Sequence, residues 1–201
     1  MAEIISLTRQ DRLASNCHVL ISRGEAAVID PSVSYDRVEE ILNEHSAKLK
    51  YVLLTHAHAD HVWEIDSYSR LGIPVIAARG GAEMLSDPRM NCSIFIGYKF
   101  SCDSPVRELS EGEGIKVGDE LLTVMLTPGH TADSLVFYTS SYAFTGDTLF
   151  SEGGYGRCDL PTGSTSALAA SLRRIFELSD ELIIYPGHGN SSSLGSTKMY
   201  F

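Results

Sequence analysis

Tyr51-Val52-Leu53-Leu54-Thr55-His56-Ala57-His58-Ala59-Asp60-His61 is the stretch from which the rest of the chain can be read. An apolar run that short, ending abruptly in small residues and histidines, is the pattern of a buried strand delivering polar side chains to a loop at its C-terminal end. In extended backbone His56 and His58 point to the same side. A helix beginning near Asp60 sets His61 on the next edge and lets Asp60 act both as cap and as ligand. Three imidazoles and a carboxylate, with no cationic partner beside them, suit a divalent metal. A polar loop of individually satisfied histidines is the plainer alternative. It fits a lone histidine better than H-x-H-x-D-H after a strand.

Upstream, residues 3–8 and 17–22 alternate or run apolar, and Glu25 to Pro31 reads as a further strand ending at a turn. Ser22-Arg23-Gly24-Glu25 carries a hairpin signal, so the chain opens with antiparallel strands. Asp36 to Ala47 places Val38, Ile41 and Leu42 on one face among charges, an amphipathic helix. Downstream, a helix runs from the histidines to about Leu71, Gly72-Ile73-Pro74 ends it, and residues 75–78 form a short buried strand. A short helix around Ala82–Ser86 stops at Asp87-Pro88. From Met90 to Phe100 no clean period appears, and a connection packed on the surface is preferred to a flap over a site. Strands return at 115–117, 120–127, 134–138 and 142–146. A helix with Leu168, Leu172, Ile175 and Phe176 on its apolar face then spans Ser164 to Leu178, with Ser164 as N-cap. A last strand from Leu182 delivers His188, and the polar tail from Asn190 reads as surface or the start of a helix.

Strands interleaved with helices, without a linker-like run, predict one α/β domain over residues 1–201. Hydrophobic content of 43% and charged content of 21% are ordinary for a globular chain. A formal net charge of −10 disfavours a nucleic-acid partner. No apolar run reaches the length of a membrane span, and the N-terminus has neither signal- nor transit-peptide character. Cys17, Cys92, Cys102 and Cys158 are widely spaced with no C-x-x-C, so a reduced, cytoplasmic protein is expected.

Three later strand ends carry further donors: Thr127-Pro128-Gly129-His130-Thr131, Gly146-Asp147-Thr148-Leu149-Phe150 and Pro186-Gly187-His188-Gly189. Loops at 56–61, 130, 147 and 188 can share one edge of a sheet, where ligands gather in such folds. Seven donors exceed one tetrahedral site and suit two. The natural partition gives His56, His58 and His130 to one metal and Asp60, His61 and His188 to the other, with Asp147 bridging. Two metals roughly 3.5–4 Å apart can share a hydroxide formed at neutral pH, the nucleophile of a hydrolase. His45, late on a polar helix face, reads as a surface residue. His18, in a strand with no second donor nearby, reads as packing or edge exposure.

T-H-x-H-x-D-H, T-P-G-H-T, G-D-T-L-F and P-G-H-G, in this order and spacing over essentially the whole chain, resemble the metallo-β-lactamase superfamily. Within it they look most like the glyoxalase II-like group, the hydroxyacylglutathione hydrolases. The resemblance implies an αββα four-layer sandwich, assigns the same seven ligands, and suggests two zinc ions, with iron or manganese also accepted. Glyoxalase II adds a helical C-terminal domain that helps hold glutathione. Only a short stretch follows the last motif here, so the resemblance does not carry glutathione recognition over. Arg157 in Gly156-Arg157-Cys158-Asp159 matches the group's substrate-contacting basic residue and could meet a carboxylate. Pairing with Asp159 is the competing role. Cys158 reads as a small buried residue near the site.

The resulting expectation is a dinuclear hydrolase of a small thioester, with a metal-bridging hydroxide as nucleophile and Asp60 orienting it. A mononuclear iron persulfide dioxygenase is the alternative chemistry, since that family resembles this chain at His56, His130 and Asp147. Its last histidine is commonly followed by an acidic residue, whereas Gly189 follows His188 here. A lactone or ester hydrolase stays open, because such a hydroxide does not choose between ester and thioester. β-Lactam hydrolysis is not expected, since those enzymes typically use other ligands where Asp147 would bridge. A metal-stabilised binding domain without activity is disfavoured by a complete ligand set. Oligomeric state is not legible.

Overall fold

The computed structural model describes residues 2–10, 13 and 15–201. Two six-stranded sheets pack face to face. The first takes β1 (Glu3–Thr8), β2 (Asn16–Ser22), β3 (Glu25–Ile29), β4 (Lys48–Leu53), β5 (Val75–Ala78) and β6 (Val106–Leu109) in sequence order. β1 to β3 pair antiparallel and β3 to β6 parallel. The second takes β7 (Gly114–Val117), β8 (Glu120–Leu126), β9 (Leu135–Tyr138), β10 (Tyr142–Gly146), β11 (Ile183–Pro186) and the short β12 (Ser192–Ser193). Here the β10–β11 pair is parallel and the others antiparallel.

The strands read as apolar runs because both faces of each sheet are covered. β2 is buried at every position, yet its residues divide by alternation: Cys17, Val19 and Ile21 face the helices of the first half, and Leu20 faces the second sheet. α1 (Tyr35–Glu44), α3 (Ile65–Ser69) and α4 (Gly81–Ser86) cover the first sheet through Val38, Leu42, Ile65, Tyr68, Met84 and Leu85. α5 (Thr165–Ile175) and α6 (Leu194–Lys198) cover the second through Leu168, Leu172, Ile175 and Leu194. Between the sheets, Leu20, Ile29 and Leu53 of the first pack with Val124, Phe137 and Phe144 of the second. This is the αββα sandwich. Ser164 caps α5 by accepting from the Ala167 amide, as its position in the sequence implies.

Two expectations need correction. The single helix expected between the histidines and Leu71 is two short ones, α2 (Ala59–Val62) and α3. The break falls at Glu64, whose amide leaves the helical ladder to bond the Pro31 carbonyl at 3.0 Å. Residues 90–100 are also more than a surface connection. Asn91 accepts from the Ala59 amide at 2.8 Å through its carbonyl, and its side chain donates to the Leu85 and Phe100 carbonyls. A 3-10 turn (Ser93–Ile96) follows, and Cys92, Phe95 and Ile96 wall the cleft over the histidines. Among the described residues no helix is long and apolar enough to cross a membrane.

Candidate metal centre

The loops after β4, β8, β10 and β11 bring all seven sequence-predicted donors together. His56, His58 and His130 place ring nitrogens within 4.8 Å of one another, and so do donor atoms of Asp60, His61 and His188. Asp147 stands between the two groups. Its Oδ2 lies 3.6 Å from His130 Nε2 and 3.7 Å from His188 Nε2, and its Oδ1 lies 3.3 Å from His61 Nε2. Asp60 Oδ2 is 3.4 Å from His188 Nε2.

Each of four imidazoles is oriented from behind. Asp30, buried at the end of β3, accepts from Thr55 N at 2.7 Å and from Thr55 Oγ1 at 2.6 Å, and stands 2.9 Å from His61 Nδ1. A carboxylate can only accept, so His61 Nδ1 carries the hydrogen and Nε2 turns into the centre. Thr55 Oγ1 spends its hydrogen on Asp30 and therefore accepts from His56 Nδ1, 3.1 Å away. His130 Nδ1 donates to the Arg157 carbonyl at 2.8 Å. His58 turns Nδ1 inward, 2.9 Å from His130 Nε2, and its Nε2 lies 3.3 Å from Cys92 Sγ.

The protein leaves donors at this point that it does not satisfy itself. His56 Nε2 and Asp147 Oδ1 are buried without a hydrogen-bond partner, an arrangement that costs on the order of 1–3 kcal/mol per group unless something binds there. Burial and the neighbouring His61 push His56 far below the ordinary histidine range, and burial with His130 pushes His58 down to about 3. Both stay neutral and keep lone pairs to offer. Burial works the same way on His61, but Asp147 and Asp60 overcome it and hold that ring well above the usual range. The centre therefore favours a cation. A Cβ on Gly187 would run into Asp147 Oδ1 and His61 Cε1, so the approach of these two groups depends on a glycine there. Neutral imidazoles with carboxylates between them are a donor set that fits zinc, iron or manganese.

Arg157 takes the second of its two sequence-based roles. Its guanidinium meets Asp159 through two bonds of 2.6 Å, while the residue also borders the cleft. Cys158 is half-buried, with its sulfur against the Gly156 carbonyl. Sequence reasoning passed over Asp30, whose Val-Ile-Asp-Pro context reads only as a strand meeting a turn. It also left His18 without a task. That ring is buried between Phe144 and Tyr185, bonds Ser6 Oγ (2.8 Å) and lies 3.0 Å from the Pro186 carbonyl. Asn16 adds bonds to the Pro186 and Gly189 carbonyls. Together they tie the first sheet to the turn that carries His188.

Such a sandwich, with two donor clusters at the strand ends and a carboxylate between them, defines a metal-binding hydrolase scaffold. The family model described as the metallo-β-lactamase superfamily matches residues 11–188, and the chain belongs to that superfamily. It is 31% identical to the probable polyketide biosynthesis zinc-dependent hydrolase PksB of Bacillus subtilis, over 94% of this chain and 79% of that one. Among solved structures, it is similar to the B3 metallo-β-lactamase BLEG-1 (TM-score 0.88, 27% identity, 98% of this chain and 99% of that one). It is also similar to ETHE1 from Myxococcus xanthus (TM-score 0.79, 27% identity, 98% of this chain and 82% of that one). Membership in a metallo-hydrolase superfamily and relatives named as zinc-dependent hydrolases set the class.

Proposed function

We propose that this protein is a glyoxalase II-like hydrolase of small thioesters that works with two divalent metal ions, most simply zinc. The observation that carries the reading is the position of Asp147, with carboxylate oxygens within 3.7 Å of nitrogens from both donor clusters. His56, His58 and His130 would hold one ion, Asp60, His61 and His188 the other, and Asp147 would serve both. The chemistry such a pair supplies when bound is Lewis-acid polarisation of a carbonyl and a water acidic enough to lose its proton near neutral pH. Asp60, whose Oδ2 lies 3.4 Å from His188 Nε2, would orient the attacking water while serving as a ligand. Asp30, through His61 and through Thr55 to His56, keeps both rings from turning. In the overall reaction the water oxygen joins the acyl carbon, the C–S bond breaks, and carboxylate, thiol and one proton are the products. Arg157 is a substrate contact only if a carboxylate competes successfully with Asp159 for its guanidinium.

Thioester hydrolysis that disappears with a chelator, returns with zinc and is lost in His58→Ala supports this reading. Undiminished turnover by metal-free protein overturns it. The likeness to ETHE1 is compatible with the mononuclear iron alternative, and elemental analysis separates the two. About two zinc or mixed ions per chain supports the hydrolase. One iron per chain with oxygen consumption on a persulfide supports the other. A lactone and a β-lactam belong in the same substrate panel.

A further inference from the structure

The cleft over the donor clusters encloses about 420 Å³ and has two chemically different ends. Its floor is His58, Asp60, His130 and Asp147. Its walls above that floor are Phe95, Ile96, Phe150, Tyr155 and Leu160, brought from the 3-10 turn on one side and the loop after β10 on the other. Large apolar side chains on the surface normally occur singly; here Ile94, Phe95, Ile96 and Tyr98 stand exposed within five residues, and Tyr155 stands exposed across the cleft. Phe95 is 63% accessible although it faces the cleft that opens on His58, Asp60, His130 and Asp147. The backbone holds this wall out at a cost, since Cys92, which starts the turn, sits in the left-handed region at φ 64°. Among the described residues that line the cleft, Arg157 is the only lysine or arginine, and Asp159 already engages it in two bonds.

We propose that the cleft takes the hydrocarbon chain of an acyl thioester, with Phe95, Ile96 and Tyr155 as the residues that set chain-length preference, and that glutathione conjugates are poor substrates. This rests on the thioester-hydrolase reading above. A chain lying between the two walls removes exposed aromatic and aliphatic surface from water on both sides. A glutathione conjugate brings two carboxylates and an ammonium group to walls whose described residues are mainly apolar and include no lysine or arginine beyond the Arg157 that Asp159 engages, and desolvating charged groups there is unfavourable. The scissile carbonyl then lies over the floor, where the donor atoms are, and selectivity arises from the walls rather than from the donors.

The test uses the zinc-loaded full chain and N-acetylcysteamine thioesters from acetyl to decanoyl, beside S-lactoylglutathione. The expected result is kcat/KM rising about fourfold for each added methylene until the cleft is filled, with S-lactoylglutathione no better than the acetyl thioester. Phe95→Ser should cut the octanoyl-to-acetyl ratio at least tenfold, and Ile96→Ser should cut it in the same direction. Titration with the non-hydrolysable thioether S-octyl-N-acetylcysteamine, followed calorimetrically, gives a readout independent of turnover, and Phe95→Ser should weaken it about tenfold. A flat chain-length profile, or S-lactoylglutathione turned over as fast as octanoyl, overturns the proposal and leaves thioester hydrolysis standing. Tight, Phe95-dependent thioether binding without turnover of any thioester supports the apolar cleft and overturns the hydrolase reading.

Discussion

Asp30 shows how much of this centre is held by a residue that touches no substrate. It is buried, sits at φ 56°, and organises Thr55, His56 and His61 through bonds of 2.6 to 3.1 Å. Asparagine tolerates the left-handed conformation nearly as well as aspartate. Asp30→Asn therefore removes the carboxylate without adding backbone strain. Outer partners of this kind typically contribute 10–100-fold in metal affinity, so Asp30→Asn should weaken zinc binding by roughly that factor. Competition against a chromophoric chelator reads the change, and an affinity equal to wild type would sink the assignment. Nothing in the sequence marks Asp30 for this task, because its partners lie 25 and 31 residues away along the chain. The seven donors were legible for the opposite reason: histidine and aspartate crowded at strand ends state their chemistry by residue type and spacing alone.

At the scale of elements, donor loops are precise where a regular element backs them. The T-P-G-H turn is seated on α5: the Ser164 amide donates to the Gly129 carbonyl at 2.7 Å, and Ser171 Oγ donates to the Pro128 carbonyl at 2.8 Å. Gly129 lies at φ 148°, and a Cβ there would strike the backbone of Leu168. Gly129→Ala should therefore push the turn off the helix, displace His130, and lower both unfolding free energy and metal content. Ser164→Ala deletes only the cap and should cost about 1 kcal/mol of stability with metal content retained. Urea denaturation beside elemental analysis distinguishes them, and equal metal loss in the two variants would refute the seating role assigned to Gly129. α5 was legible because its apolar face repeats at helical spacing. β6 was not, because its four residues include exposed Arg107 and Glu108 at the edge of a sheet, where half-exposed positions erase the alternation. The wall at residues 92–96 escaped for a related reason: its apolar residues face a cleft, and no periodicity encodes a cleft.

On the scale of the whole molecule, the donor centre joins the two halves of the chain. Each cluster draws on both: His56 and His58 with His130, and Asp60 and His61 with His188. The protein's own bonds also cross this seam: Asn16 and His18 bond the turn that carries His188, and the Leu135 amide donates to the Thr55 carbonyl at 2.9 Å. One α/β domain was legible because strands interleave with helices in both halves, and the four-layer sandwich followed from the family resemblance; the dependence of its seam on the centre is visible only in three dimensions. A ligand that binds the folded state alone at a thousand times its Kd contributes about 4 kcal/mol, and for a chain of this size each kcal/mol moves Tm by roughly 2–4 °C. Chelation should therefore lower Tm by about 10 °C or more. Without a cation, Asp147 Oδ1 and His56 Nε2 stay buried with no partner, so the loss reflects both a missing cross-link and the cost of those two groups. Hydrogen exchange locates the effect: protection should fall first at residues 55–61, 128–131 and 186–189, with β2 and β3 unchanged. A chelated protein that melts at the same temperature with the same exchange pattern would mean that the apolar core alone holds the halves together, and that the centre serves chemistry without serving the fold.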